Sequence, residues 1–423
     1  MRRNLAIVLT IIGLAFAGTV SAESITVIMP RHEMDLIGIW EKQTREFEAK
    51  TGIKVEFIQM SWDEVATKVT TDLTTGIKSS YDVIEFDNGW VSKFASANWL
   101  EPLDKYASKA YLDSLLPGLV QTFSQKGKPL GIVWNNDTRF FFYNKAMLAK
   151  ANIKSPPKTW TEVLQQSKAL QAAGISKFPV AEYWNQEWAL ANSAAFYLYS
   201  FGNSYFDDQN RITINKPGSV EALQFMYDML KKNKIANPSS VTLSQEAAAD
   251  LFYSGSSAFF FQGPASTYSY ANDKTKSKVV GQVEVANDLP ASAAGKQATL
   301  TLPEAFAIPR TSVNKDAAWK YIQFMISPEK DKERALKIGS LPLFKSLYAD
   351  PQLLKLYPYW AQFAKQSAVA KPLPLVDWYD ELVNTTIADL QQMFLGMKTP
   401  QAAADDIAAF LDGKLVDGKP LKK

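Results

Sequence analysis

The sequence predicts an α/β protein made of two lobes, and three observations carry this prediction. Strand-like and helix-like segments alternate between residues 24 and 87, which is the order that gives a parallel, doubly wound sheet. The chain has 423 residues, 47% of them hydrophobic, so it exceeds what one core usually supports. No internal repeat or low-complexity linker interrupts it, so two lobes on a single flexible tether are not expected.

The first elements follow from hydrophobic period and capping signals. Strands are predicted at 24–29, 55–60 and 81–87, a helix at 36–50, and a Ser61-to-Glu64 capping box begins the next helix. In such sheets ligands lie beyond the carboxyl ends of the strands, so the polar groups directly after each strand are candidate contacts. These groups are Arg31, His32 and Glu33 after the first strand, Ser61 and Trp62 after the second, and Asp87, Asn88, Gly89 and Trp90 after the third.

Two short apolar runs at 131–134 and 140–143 predict buried strands that enclose a polar segment. The five side chains of residues 135–139 can all donate or accept hydrogen bonds, which suits recognition of a polar ligand better than core packing. Asp137 lies at the centre of this segment. A helix is predicted from residue 144 to about 152, since Pro156 and Pro157 forbid its continuation.

The remainder of the chain is predicted to be mostly helical. Residues 258–262 predict a buried strand that turns at Gly263 into a helix start whose free amides face the cleft. Residues 300–309 are predicted to be extended. The predicted helices include one capped by Thr159 with Glu162, one capped by Asn314 and running to 326, and those at 187–201, 217–232, 350–366, 376–396 and 400–412.

The order of these signals resembles the sugar-type solute-binding proteins of bacterial ABC importers, the maltodextrin-binding-like group. The likeness covers most of the chain after its first segment. It is carried by Tyr143-Asn144-Lys145, by Pro156-Pro157-Lys158-Thr159-Trp160, and by residues 47–55 and 81–84.

The resemblance implies a two-lobed periplasmic-binding-protein fold. Each lobe would be a mixed, mostly parallel sheet flanked by helices, and several crossover strands would join the lobes. The implied crossings lie at 131–143 and near 300–303, with a return at 339–346. The implied N-lobe comprises residues 23–134 with 303–341, and the C-lobe residues 135–302 with 342–423.

Residues 1–22 predict a cleaved secretory signal. Arg2 and Arg3 precede a 13-residue apolar run, and small residues precede Glu23. That run is too short to span a bilayer. Because the chain contains no cysteine, neither a lipidated cysteine nor a disulfide is expected, and we expect a soluble periplasmic protein.

A sugar site requires carboxylates and amides for hydroxyl groups and flat aromatic rings for C–H faces. The resemblance makes Asp137 the first candidate, with a structural loop cap as its alternative. Ala265 departs from a family position that often holds a stacking aromatic, which leaves Tyr268 or Tyr270 as substitutes, and Trp188 is predicted to be core. The full set of predicted substrate-binding residues is Asp137, Phe86, Asp87, Asn88, Trp90, His32, Glu33, Tyr183, Trp184, Asn185, Gly263, Asp377 and Trp378.

The function that the resemblance implies is binding without chemistry. The expected protein is a monomer that holds a small-molecule sugar or polyol and delivers it by hinge closure to the transmembrane subunits of an ABC permease, with no cofactor and no metal. A cationic solute such as a polyamine, a secreted carbohydrate-active enzyme and a role as sensor remain alternatives.

Composition argues against several other classes. The formal charge is +3 and the arginines are scattered, so no nucleic-acid groove is predicted. With one histidine and no cysteine, the sequence argues against a histidine-based metal site and a thiol nucleophile, and a Ser-His-Asp triad would have to use His32.

Overall fold

A computed structural model describes residues 23–32, 34–207, 209, 211–293 and 296–415. The predicted signal segment 1–22 and the candidate Glu33 lie outside the described residues. Among the described residues, no helix combines the length and the apolar character needed to cross a bilayer.

The strands and helices are numbered in chain order. The strands are β1 Ser24–Pro30, β2 Lys54–Met60, β3 Val83–Asp87, β4 Ser124–Gln125, β5 Lys128–Pro129, β6 Ile132–Asn135, β7 Phe140–Asn144, β8 Phe259–Gly263, β9 Val283–Val285, β10 Thr299–Leu300, β11 Glu304–Ala307 and β12 Ala370–Lys371. The helices are α1 Ile39–Thr51, α2 Trp62–Thr74, α3 Val91–Ser96, α4 Lys109–Ser114, α5 Pro117–Thr122, α6 Lys145–Lys150, α7 Trp160–Ala172, α8 Trp188–Ser200, α9 Pro217–Lys231, α10 Gln245–Tyr253, α11 Ser266–Ala271, α12 Lys315–Met325, α13 Pro328–Ile338, α14 Pro351–Leu356, α15 Trp360–Ser367, α16 Tyr379–Leu395 and α17 Pro400–Lys414.

The first sheet has the strand order β2-β1-β3-β11-β6. β1 pairs in parallel with β2 and β3, and β11 runs antiparallel to β3 and β6. The predicted capping box begins α2: the Ser61 hydroxyl accepts from the Glu64 amide at 3.4 Å, and the Glu64 carboxylate accepts from the Ser61 amide at 2.9 Å. The predicted parallel, doubly wound beginning is therefore confirmed.

The second sheet has the order β8-β7-β9, with β7 antiparallel to both neighbours. Parallel pairing outside the first sheet consists, among the described residues, of bridges from Val180 to Ala236 and Phe259, a bridge from Thr159 to Ala291, and the short pair β10–β12. The sheet is therefore mixed, as predicted, but parallel pairs are not its majority. Helices α16 and α17 pack against α8 and α9 on this side of the molecule. The two-lobed α/β fold is confirmed.

Two chain segments lead into or out of the first sheet side by side. Residues 136–139 run from β6 to β7 of the second sheet, and residues 301–303 run from β10, which pairs with β12 in a small separate sheet, to β11. They pair with each other: the Arg139 amide donates to the Leu300 carbonyl at 2.9 Å, and the Leu302 amide donates to the Asp137 carbonyl at 2.8 Å. The predicted lobe boundary at 302/303 lies within the second of these segments, and the one at 134/135 falls at the end of β6, just before the first. The complete lobe ranges stay a prediction.

The start of α12 differs from its prediction. Asn314 occupies the N-cap position, but its side chain makes no capping hydrogen bond. Instead its Nδ2 donates to the carboxylate of Asp82 at 3.2 Å, and the Ser312 hydroxyl donates to the same carboxylate at 2.7 Å. Because Asp82 also accepts from the Thr26 amide at 3.0 Å, it ties the entrance of β3 to its neighbours.

Candidate ligand-binding cleft

A cavity of about 460 Å³ lies where the first sheet, the crossing segments and the second lobe meet. Its volume falls within the range of about 300–1,000 Å³ that is usual for small-molecule sites. Arg31 and His32 follow β1, Trp62 and Asp63 follow β2, and Asp87 ends β3. The carboxyl ends of the three parallel strands therefore supply one wall, as the sequence predicts.

The second lobe supplies the opposite wall from the starts of two helices. Glu187 and Trp188 lie at the start of α8, and Gln245 and Glu246 lie at the start of α10. Arg139 reaches the cavity from the crossing between β6 and β7. The cavity is thus built from both lobes and from their connection.

The base of the cavity is a buried network of ionisable groups, which we call the cleft floor: His32, Glu85, Asp87, Asp137, Arg139 and Glu304. His32 Nε2 lies 3.2 Å from Glu85 Oε1 and 4.0 Å from Glu304 Oε2. Asn135 Nδ2 donates to Glu304 Oε2 at 2.5 Å. Since His32, Asp87, Arg139 and Glu304 line the cavity, this network presents both donors and acceptors to a guest.

Burial changes the protonation of the floor carboxyls. Burial, opposed by the hydrogen bond from the Gly89 amide at 2.6 Å and assisted by the charge of Glu85, raises the pKa of Asp87 to about 7. Burial and then the charges of Glu85 and Asp137 raise the pKa of Glu304 well above its usual value. Part of the floor therefore holds protons at neutral pH, so that its carboxyl groups donate as well as accept hydrogen bonds.

Asp137 does not line the cavity, although the sequence made it the first candidate. Its Oδ2 lies 2.8 Å from Nη2 of Arg139, and both side chains are buried. Residues two apart in an extended segment leave the chain on the same side, and the longer of the two side chains reaches the cavity. Asp137 therefore holds the arginine that faces a guest.

Two tryptophans form the aromatic surfaces of the cavity, Trp62 from the first lobe and Trp188 from the second. Trp90 lies behind both, with ring centroids 6.2 Å from Trp62 and 5.6 Å from Trp188 in edge-on geometry. Trp90 Nε1 donates to Asp380 Oδ1 at 2.8 Å. Trp90 thus supports the two rings without lining the cavity. Trp188, predicted to be core, is partly buried against the core and also lines the cavity.

Of the predicted site residues, His32 and Asp87 line the cavity. The other described candidates lie elsewhere: Phe86, Asn88, Trp90, Asp137, Tyr183, Trp184, Asn185, Gly263, Asp377 and Trp378. Phe86 alternates with Asp87 across the strand, so it faces the core and packs on Phe94 with a centroid separation of 5.9 Å. Asn88 is fully buried, and its backbone amide donates to the Pro303 carbonyl at 3.3 Å.

The predicted 183–185 loop and Gly263 are packed inside the second lobe. The Tyr183 hydroxyl donates to the Gln262 carbonyl at 3.3 Å, and Trp184 stacks on Phe394 at 4.7 Å. Asn185 is buried, and its carbonyl accepts from the Glu187 amide at 2.7 Å. A Cβ at Gly263 would lie 2.8 Å from the Phe142 ring, so this glycine serves close packing.

The remaining candidates serve contacts between elements. Asp377 accepts a hydrogen bond from Ser92 at 2.5 Å, and Trp378 packs edge-on against Phe410 at 5.8 Å. The proposed aromatic substitutes also lie outside this cavity: Tyr268 packs edge-on against Tyr359 at 4.9 Å, and Tyr270 is buried.

In the ranges that the structure describes, one group of side chains is arranged as a metal could require. Donor atoms of His32, Glu85 and Glu304 all lie within 4.8 Å of one another. One imidazole with two carboxylates suits a divalent transition metal, which a count of histidines alone had argued against. The hydrogen bond from Asn135 to Glu304 and the His32–Glu85 contact account for the closeness of the three groups.

Two mixed sheets joined by paired crossing segments, with a polar and aromatic cavity at the junction, define a two-lobed binding protein. Residues 35–332 match the family of bacterial extracellular solute-binding proteins. The chain belongs to this family.

Its relatives include transport-binding proteins from several organisms. It is 29% identical to a probable ABC transporter-binding protein of Deinococcus radiodurans, over 76% of this chain and 77% of the relative. It is 24% identical to the mannitol-binding protein of Pseudomonas aeruginosa, over 64% of this chain and 62% of the relative. The solved structure of maltose-bound T. maritima MalE3 superposes with a TM-score of 0.86 at 28% identity, covering 93% of this chain and all of that one.

Proposed function

We propose that this protein holds a sugar or polyol between its two lobes in the periplasm and delivers it to the transmembrane subunits of an ABC permease. The observation that carries the proposal is the cavity at the lobe junction, with a hydrogen-bonding floor and an indole from each lobe. The maltose complex of a structural relative and the mannitol-binding relative support this class of guest. His32, Asp87, Arg139 and Glu304 would bind hydroxyl groups.

The contacts suffice for reversible binding without any covalent step. Hydrogen bonds to charged groups contribute about 1.5–3 kcal/mol each, and a micromolar site requires about 8 kcal/mol after the costs of association. Trp62 and Trp188 offer apolar faces to the C–H surface of a sugar or polyol. Three or four floor contacts with one stacked ring therefore reach that affinity.

The connection between the lobes supplies a route for closure. The crossing segments 136–139 and 301–303 are short and paired, so a change in their backbone angles would move one lobe relative to the other. A guest that contacts Asp87 in the first lobe and Trp188 in the second would stabilise the closed form. The closed form would be the one that docks on the permease.

A thermal-shift screen of neutral sugars and polyols, followed by calorimetry, tests the proposal. A guest present at a hundred times its dissociation constant adds about 2.7 kcal/mol to the unfolding free energy. Trp62→Ala and Trp188→Ala should each weaken binding, whereas Trp99→Ala, a partly buried indole outside the cavity, should not. If no sugar or polyol raises the melting temperature, the proposal is wrong.

A further inference from the structure

A glycine in the turn after β3 lies directly against an aromatic ring of the second lobe. We propose that the contact between Gly89 and Tyr379 sets the limit to which the two lobes close, so that a side chain at position 89 would hold the cleft open. This inference rests on the hinge closure of the proposed function and assigns no property to the guest.

The ring of Tyr379 leaves no room for a side chain on the glycine. A Cβ atom added to Gly89 would lie 2.4 Å from Cε1, 2.6 Å from Cδ1 and 2.9 Å from Cζ of Tyr379. Carbon atoms in van der Waals contact lie about 3.5–4.0 Å apart, so a methyl group at this position would require a displacement of about 1 Å. The two lobes therefore meet here through a glycine backbone and a tyrosine ring.

The backbone conformation of Gly89 does not itself require a glycine. The residue lies in the single 3₁₀ turn Asn88–Trp90, and its φ is outside the left-handed region. An alanine adopts this conformation without strain and keeps the backbone amide. The cost of a side chain at position 89 therefore comes from its overlap with Tyr379.

Each partner of this contact is held firmly by its own lobe. Tyr379 begins α16, which packs against α8, and its buried ring lies edge-on to Trp188 with a centroid separation of 5.4 Å. Gly89 is fixed in the first lobe, where its amide donates to Asp87 Oδ1 at 2.6 Å. Because packed interiors resist deformation, the overlap is relieved most readily by rotation of the lobes about the crossing segments.

The contact lies behind both walls of the cavity. Asp87, two residues before Gly89, lines the cavity from the first lobe, and Trp188, beside Tyr379, lines it from the second. A methyl group between Gly89 and Tyr379 would therefore move the two walls apart. The closed form would then be less populated whether or not a guest is bound.

An engineered disulfide measures the closed form without any guest. The chain contains no cysteine, so the variant S92C/D377C has a single pair of thiols. They replace side chains that meet across the lobes, since the Ser92 hydroxyl donates to Asp377 Oδ1 at 2.5 Å. Equilibration with reduced and oxidised glutathione gives the effective concentration of the two thiols, which falls in proportion to the population of the closed form.

A double-mutant cycle in that background isolates the contact. It compares the S92C/D377C protein with the same protein carrying Gly89→Ala, Tyr379→Ala or both changes. We expect Gly89→Ala to lower the effective concentration about tenfold or more when Tyr379 is present, and by less than about twofold when its ring has been removed. Gly413→Ala adds a methyl group at an exposed position of α17 with no atom within 4 Å, and should leave the value unchanged.

The cycle has outcomes that contradict the inference. An unchanged effective concentration in Gly89→Ala would overturn it, and so would an equal loss with and without the Tyr379 ring. If Gly89→Ala does not fold, the double variant should fold and keep the value of Tyr379→Ala, and its failure to fold would equally overturn the inference. Absence of binding by every sugar and polyol would refute the proposed function and leave the result of this guest-free measurement in place.

Discussion

The backbone amide of Leu302 donates to the carbonyl oxygen of Asp137 at 2.8 Å, which joins the two segments that cross between the lobes. The Thr299 and Thr301 hydroxyls add bonds to the carbonyls of Arg139 and Asp137 at 2.6 and 3.0 Å. The side chains of Asp137 and Arg139 leave the same segment toward the cavity floor. The geometry of the connection and the position of a floor arginine are therefore set by the same few residues.

Replacement of Asp137 by alanine should weaken binding and lower stability together. The change removes the carboxylate 2.8 Å from the buried Arg139, so the arginine loses its orientation in the cavity. We expect at least a tenfold loss of affinity by calorimetry and a loss of about 2 kcal/mol in the unfolding free energy from denaturant titration. Asp113→Ala is the matched control, since Asp113 is exposed, pairs with Lys109 one helical turn away and lies outside the cavity. If the variant binds the guest with the affinity of the parent, Asp137 does not orient Arg139 for binding.

Stability should fall as the pH is raised through neutrality. Burial raises the pKa of Asp87 from an ordinary 3.8 to about 7 and that of Glu182 from 4.5 to about 8. The folded state favours the protonated form of each group, so their contribution to the unfolding free energy is complete below pH 4. It is lost as the pH rises through about 7 for Asp87 and about 8 for Glu182. Each unit of pKa shift corresponds to roughly 1.4 kcal/mol.

Melting temperatures measured between pH 6 and 9 test this expectation. Glu182 accepts hydrogen bonds from Tyr197 and, at 3.2 Å, from Gln262, and glutamine at this position has no proton to lose. Glu182→Gln should therefore flatten the decline near pH 8, with the exposed Glu221→Gln as the matched control. A parent protein whose melting temperature rises over this range would contradict the assignment.

The order of the first strands and helices was predictable because each follows from local period and capping, as at Ser61 with Glu64. The short helices α3, α4 and α5 were not predicted, and the predicted helical stretch 350–366 is divided into α14 and α15. The first-lobe wall was predictable in part, since His32 and Asp87 follow parallel strands and the carboxyl ends of such strands meet. The second-lobe wall was not, because Gln245 and Glu246 reach the cavity only through the packing of α10. Trp188 could not be assigned to the cavity for the same reason. Its helical spacing predicts a buried side chain, but only the packing of the lobes shows that the cavity lies beside it.

Arg334 should be a large contributor to stability, away from the cleft. Its guanidinium lies over the Trp40 ring at 4.4 Å and donates to Gln43 and the Met325 carbonyl at 2.9 and 2.7 Å. It is also 3.7 Å from Asp331, whose carboxylate accepts from the Leu343 amide at 2.8 Å. Arg334→Ala leaves that buried carboxylate without its cation, so we expect a loss of about 3–5 kcal/mol in the unfolding free energy.

The conservative variant and a binding assay complete this test. Arg334→Met keeps most of the side-chain volume over Trp40. It should show whether the loss of unfolding free energy in Arg334→Ala comes from the void that alanine leaves or from the missing charge. Neither variant should change guest affinity at temperatures where it is folded, because Arg334 lies outside the cavity. A loss below 1 kcal/mol for Arg334→Ala would show that Asp331 finds another partner or takes up a proton without cost.

Asp380 should control how far the lobes open. It accepts from Trp90 Nε1 at 2.8 Å and from Lys93 Nζ at 2.5 Å, both in the predicted N-lobe, whereas Asp380 belongs to α16. Asp380→Ala removes both contacts, whereas the neighbouring Ser92–Asp377 hydrogen bond and the Trp90–Trp188 ring contact remain. We expect small-angle scattering of the unliganded variant to give a larger radius of gyration, and the guest affinity to fall because the narrowed cleft is less populated.

The matched control for Asp380 is Asp406→Ala, which removes an exposed carboxylate that pairs with Lys398 within one lobe. Its radius of gyration and affinity should equal those of the parent. The Lys93–Asp380 ion pair is partly exposed, so added salt can screen it. At 1 M salt the Debye length falls to about 3 Å, and the radius of gyration of the parent should approach that of the variant. If Asp380→Ala scatters and binds like the parent at both salt concentrations, the contacts of Trp90 and Lys93 have no part in setting the lobe angle.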